Sequence, residues 1–130
     1  MDHDMHDHSN CIQDCNDCRD ECEKTFFQHC LTIGGKHVEE KHAKLMADCI
    51  EICQTAANFM LRGSEQHAAT CAICADICEA CADSCEEIGG KEMKQCAEMC
   101  RRCAQSCREM SAAHGLSGSD KSKYTSTNVM

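Results

Sequence analysis

The chain carries 16 cysteines in 130 residues, and most of them recur at steps of three and four. Cys71, Cys74, Cys78, Cys81 and Cys85 fall within the stretch CAICADICEACADSC. Cys11, Cys15, Cys18 and Cys22, with Cys30 beyond them, form a second set, and Cys96, Cys100, Cys103 and Cys107 a third. Steps of three and four keep side chains on one face of an α-helix; at about 100° per residue the set from Cys71 to Cys85 spans an arc of roughly 80°. A fourth segment offers Cys49 and Cys53, with His42, Met46 and Met60 on the same face. There, other metal-capable side chains stand where the neighbouring segments have thiols.

Thiols in rows can be small core residues, disulfide partners or metal ligands. As core they are poor value, because each small thiol buries little apolar area. Along a helix, residues four apart hold their Cβ atoms about 5–6 Å from each other. A disulfide wants about 3.8 Å, so bridges within a row are disfavoured. Metal remains, and a soft ligand set selects Cu(I), zinc or iron-sulfur clusters. Zinc takes four ligands, and a site of four thiolates keeps two net negative charges. Several such sites stacked in a dry interior would bury uncompensated charge. Cu(I) accepts two or three thiolates, and bridging lets the ions approach the cysteines in number, so a filled core is nearly neutral. Charge balance and geometry favour multiple Cu(I) ions, with zinc as the alternative. Iron-sulfur clusters draw on loop-borne sets of four, whereas these rows are continuous. Buried thiols are protonated before metal arrives, so binding should release protons.

Four helical segments must position these rows. The first begins near Ser9, a plausible N-cap, and runs to Ile33; the second spans about His37 to Leu61; the third follows Ser64 with Glu65 in its first turn; the fourth spans about Lys91 to Ala113. Gly34-Gly35, Gly63, Gly89-Gly90 and Gly115 sit at the stops. Connections this short make successive helices antiparallel, which predicts an all-α, up-down-up-down four-helix bundle over residues 9–114 with a Cys-lined core. The sequence IGGK occurs at Ile33 to Lys36 and again at Ile88 to Lys91, so the chain reads as two weakly preserved related hairpins. Residues 1–8 read as a flexible His/Asp-rich terminus, and residues 115–130 as a disordered polar tail. The charged residues between the cysteines, such as Asp76, Glu79, Asp83 and Glu86, together with Arg101 and Arg102, read as the solvated outer face.

Aromatic residues are only 3% of the chain, proline is absent, and the net charge is −9. That charge disfavours nucleic acid and anionic membranes as partners. No run approaches the roughly 20 apolar residues of a membrane span, and MDHDMHDHSN shows no basic-then-apolar leader. The expected location is the cytoplasm, where thiols stay reduced. No Gly-rich cofactor loop or paired acid and base accompanies the thiols, so no enzymatic role is expected. A metal-transfer chaperone is the other reading, although such proteins need one or two exposed ligands rather than a buried surplus.

With rows of Cys-x-x-x-Cys and Cys-x-x-Cys on helices, short connections and no export signal, the chain resembles the cytosolic bacterial copper storage proteins over about residues 9–114. That resemblance implies a four-helix bundle whose interior thiols hold many Cu(I) ions, tight storage without catalysis, and a homotetramer.

The end of such a bundle opposite both IGGK loops would collect Met60, His67, Met110 and His114 at the phase of the thiol rows. Histidine and methionine bind copper without carrying negative charge, so this end is the expected mouth. Met1-Asp2-His3 also matches a square-planar Cu(II) pattern, followed by His6 and His8. His29 and His37, near the IGGK end, are expected at the surface.

Overall fold

The computed structural model describes residues 2–113, with side chains from residue 8 onward. The His3 and His6 side chains, His114 and the tail from residue 115 lie outside the described residues. The first helix spans Asp2–Lys24 and continues through a π-helical turn, Thr25–Cys30, into a last α-helical turn, Leu31–Ile33. A 3₁₀ turn over Gly35–Val38 leads to the second helix, Glu40–Leu61; the third is His67–Ile88 and the fourth Lys91–Ala113. These four rods form the expected all-α bundle, each packed on the next and the fourth on the first.

The first helix starts at Asp2 rather than at Ser9, so the backbone of the expected flexible terminus is helical. Nothing in DHDMHDH, with neither Gly nor Pro, stops a helix there. Gly34 and Gly89 end the first and third helices at φ 77° and 82°, a conformation that a side chain would strain. Ser64 receives the backbone N–H of Gln66 on its hydroxyl at 3.0 Å, and the third helix begins shortly after.

The π-helical turn has a structural purpose. Eight residues separate Cys22 from Cys30, which on a regular α-helix would carry Cys30 about 80° past the row. A π turn accommodates one extra residue and returns that rotation. Cys30 is accordingly buried with the other thiols.

All 16 cysteines are buried, and all are free thiols. Between them lie Ala56, Ala57, Ala75, Ala82, Ala97 and Ala104, with Met46, Met60, Met93 and Met110 toward the ends. Small residues let the helices come close enough for sulfur to meet sulfur across the axis. The carboxylates expected on a solvated face have a second task. Arg108 donates to both oxygens of Glu79 at 2.6 and 3.0 Å and to Asp76 at 3.0 Å; Arg101 does the same with Glu86 at 2.8 and 3.2 Å and with Asp83 at 2.9 Å. Both clamps tie the fourth helix to the third, because an arginine fork matches a carboxylate bidentately.

Candidate metal centre

The first and fourth helices present cysteines with the same 4-3-4 spacing and run antiparallel. Each thiol on one therefore meets a counterpart on the other. Cys11 lies 3.7 Å from Cys107, Cys15 3.7 Å from Cys103, Cys18 3.8 Å from Cys100 and Cys22 3.7 Å from Cys96, sulfur to sulfur. The second and third helices complete the lumen. Cys53 lies 3.8 Å from Cys74 and 3.7 Å from Cys78, and Cys49 lies 3.7 Å from Cys78.

The two halves join along the axis. Cys53 reaches Cys103 at 3.8 Å, and Cys49 reaches Cys18 at 3.9 Å and Cys22 at 3.8 Å. Three quartets result, Cys15/Cys74/Cys103/Cys107, Cys18/Cys53/Cys78/Cys103 and Cys18/Cys22/Cys49/Cys100, with a trio Cys11/Cys71/Cys107 above them; within each, all Sγ atoms lie within 4.8 Å. Cys18, Cys103 and Cys107 each belong to two groups, so the column is continuous and a thiolate can bridge ions at neighbouring levels.

Where the second helix has no thiol, methionine and histidine take the place, as the sequence suggests. Met46 Sδ lies 3.4 Å from Cys81 Sγ and 3.8 Å from Cys85 Sγ, and Met60 Sδ lies 3.8 Å from Cys71 Sγ. His42, 3% exposed, points Nε2 at Cys30 Sγ, 3.7 Å away, and Nδ1 at Ser84 Oγ, 2.8 Å away. Met93 and Ser84 escaped the sequence reading. Met93 could have been found, since it lies three residues before Cys96 and so at the phase of the row.

At the opposite end Met60 and Met110 are each 3% exposed. His67 holds Nδ1 2.8 Å from the Ser64 carbonyl oxygen, and its ring meets that of His8 edge-on at 4.7 Å. His8 is an unforeseen member of this end, three residues before Cys11 on the same face. A cavity of about 240 Å³ lined by Asn10, Cys11, Ser106, Glu109, Met110 and Ala113 reaches the outermost thiol. His29 and His37 are half-buried near the IGGK end with rings 5.3 Å apart.

The buried polar residues among those described are Thr25, His42, Ser84 and Ser111, so no carboxylate enters the lumen. The donor set is soft throughout, unsuited to magnesium or calcium. Hydrogen bonds to Cys100 and Cys103 hold Cys22 and Cys53, respectively, protonated above the ordinary thiol range. Burial pushes Cys30 up to about 11 and holds His42 below its ordinary value, as a neutral imidazole. A thiol that is protonated in the apo bundle surrenders its proton to the metal that replaces it.

The sequence profile of the copper storage proteins matches residues 4–112, the whole of the thiol-bearing bundle. The chain belongs to the copper storage protein family. Among solved structures, a protein from Nitrosospira multiformis is 47% identical and superposes with a TM-score of 0.79, covering 87% of this chain and 99% of that one. The Cu(I)-bound copper storage protein BsCsp3 is 34% identical with a TM-score of 0.75, covering 81% of this chain and 98% of that one. The apo form of the Bacillus subtilis copper storage protein 3 gives 33% identity and a TM-score of 0.71 over 79% of this chain. A cysteine-rich Bacillus subtilis protein, YhjQ, is 36% identical over 75 residues, 58% of this chain and 68% of its own length. Copper storage protein architecture thus accounts for the four helices and for the turning of their thiols inward.

Proposed function

We propose that this chain stores Cu(I), holding multiple ions per molecule on the thiolates of its lumen and so sequestering copper from the rest of the cell. The observation that carries the reading is the continuous column of buried sulfur, with quartets whose Sγ atoms lie within 4.8 Å. Cu(I) is the cargo that such a column can hold at least charge cost, since each ion cancels one thiolate. The ligands are the sixteen cysteines, with His42, Met46, Met60, His67, Met110 and His114 assisting at the two ends.

The end carrying Met60, His67 and Met110 is the entrance. Its donors are neutral, so they pass copper to the thiolates without retaining it. The role is storage rather than catalysis, a reading that membership of the copper storage protein family supports. The site of action is the cytoplasm, where thiols stay reduced; no described helix is long and apolar enough to cross a membrane. The protein assembles with copies of itself as a homotetramer, and the exposed apolar side chains Phe27, Leu31 and Ile33 suit such contacts.

Selectivity tests this reading. Reduced protein is offered Cu(I) and Zn(II) together without oxygen, desalted and assayed for both metals. Copper in large excess is the expected result; zinc bound with equal stoichiometry and preference would replace copper storage with zinc binding.

A further inference from the structure

Cys30 is set apart from the thiol column. Its sulfur contacts among the described residues are His42 Nε2 at 3.7 Å and Met93 Sδ at 3.8 Å. The three side chains come from the first, second and fourth helices, and Cys30 reaches them only because the π-helical turn Thr25–Cys30 brings it back to the row. All three are buried, at 0%, 3% and 0% exposure.

These separations suit one metal ion. With metal–sulfur bonds of about 2.3 Å and metal–nitrogen bonds of about 2.0 Å, a trigonal centre sets its sulfur and nitrogen about 3.7 Å apart and its two sulfurs about 4.0 Å apart. The imidazole is oriented as a ligand should be. Ser84 Oγ, 2.8 Å from Nδ1, can accept the Nδ1 proton and leave the Nε2 lone pair facing Cys30. The third helix contributes that orienting hydroxyl, so all four helices take part.

We propose that the IGGK end of the bundle holds one Cu(I) ion outside the thiolate column, bound by Cys30 Sγ, His42 Nε2 and Met93 Sδ. This rests on the reading of the chain as a Cu(I) store and adds to it a second class of site. One thiolate and one Cu(I) sum to zero charge, so the ion is buried without a charge penalty. The Cys30 thiol proton leaves as the Cu–S bond forms. A single thiolate, a nitrogen and a thioether grip copper less firmly than bridging thiolates do. This ion is therefore the one a chelator removes first.

The test uses full-length reduced protein with ¹⁵N-labelled histidine and ¹³C-methyl-labelled methionine, loaded anaerobically with Cu(I) delivered as its acetonitrile complex. NMR should show the His42 Nε2 and Met93 methyl signals moving together at the same copper equivalents, while those of His29 and His37 stay. In Cys30→Ala the His42 response should vanish and capacity fall by one ion; in Cys71→Ala, a thiol at the other end, the response should persist. Uptake of many ions with a silent His42 or Met93 would overturn this site and leave storage intact. Uptake of a single ion that moves both signals would uphold the site and overturn storage.

Discussion

Cys18 Sγ lies 3.8 Å from Cys100 Sγ although 82 residues separate them, and the same pairing repeats above and below along the first and fourth helices. The second helix joins this ladder through two thiols only. Cys49 contacts sulfurs from all three other helices and Cys53 sulfurs from the third and fourth, so both tie neighbouring levels together alongside the shared Cys18, Cys103 and Cys107.

Replacing Cys49 and Cys53 together by Ala should therefore cost more copper than replacing one thiol at each end of the column, Cys71 and Cys85. With ions and thiolates nearly equal in number, a peripheral pair should lose about two ions per chain and the linking pair more, because bridged neighbours lose a ligand too. Copper analysis of the saturated variants decides this, with circular dichroism confirming the helices.

The extra residue in the first helix leads to a second prediction. Phe27, 55% exposed, lies within the π-helical turn. Deleting it shortens the Cys22 to Cys30 interval to seven residues, which keeps Cys30 on the row in a regular α-helix. Helix content and copper capacity should survive the deletion. Deleting Asp17 instead should rotate every thiol beyond it by about 100° and sharply lower both.

Alkaline pH should weaken the apo bundle. Cys30 titrates at about 11 when folded against an ordinary thiol value of 9.0, because burial disfavours its thiolate. A raised value means the unfolded chain gives up this proton first. The contribution is fully present below pH 9.0 and diminishes as pH rises toward about 11. Urea denaturation of the copper-free protein should show a falling midpoint across this window, with Cys30→Ala flattening part of the fall.

Arg108 binds Glu79 through both oxygens, and Asp76 as well, on a surface only partly open to water. Arg108→Ala should cost about 1 kcal/mol of apo stability, less at high salt, and leave copper capacity unchanged.

Entry is tested by kinetics. A His67→Ala, His114→Ala double variant should take up Cu(I) several-fold more slowly yet reach the same final content. Unchanged rates would remove the case for an entrance at that end.

Much of this was legible in the sequence, because the thiol spacing states a helical period and an inward face at once. The 4-3-4 spacing shared by Cys11 to Cys22 and Cys96 to Cys107 even contains the antiparallel register. Met93 was readable from its phase, three residues before Cys96, although a methionine there also looks like ordinary core. The π-helical turn was hidden, although the eight-residue step to Cys30 hints at it. Asp83 and Glu86 are exposed and Asp76 and Glu79 partly so, as their places between the cysteines suggest, but their clamps were not legible because Arg101 and Arg108 are distant in sequence and meet them only when the third and fourth helices pack. The helical backbone before Ser9 was missed because Ser9 looked like a cap, while nothing before it breaks a helix.

The most direct measurement is anaerobic titration of the reduced protein with Cu(I) against a competing chelator. A copper store should show tight uptake approaching the number of thiols, 16, as bridging thiolates allow on the order of one ion each. Saturation below about four ions per chain would contradict it, because the shared quartets would then not be acting as one store.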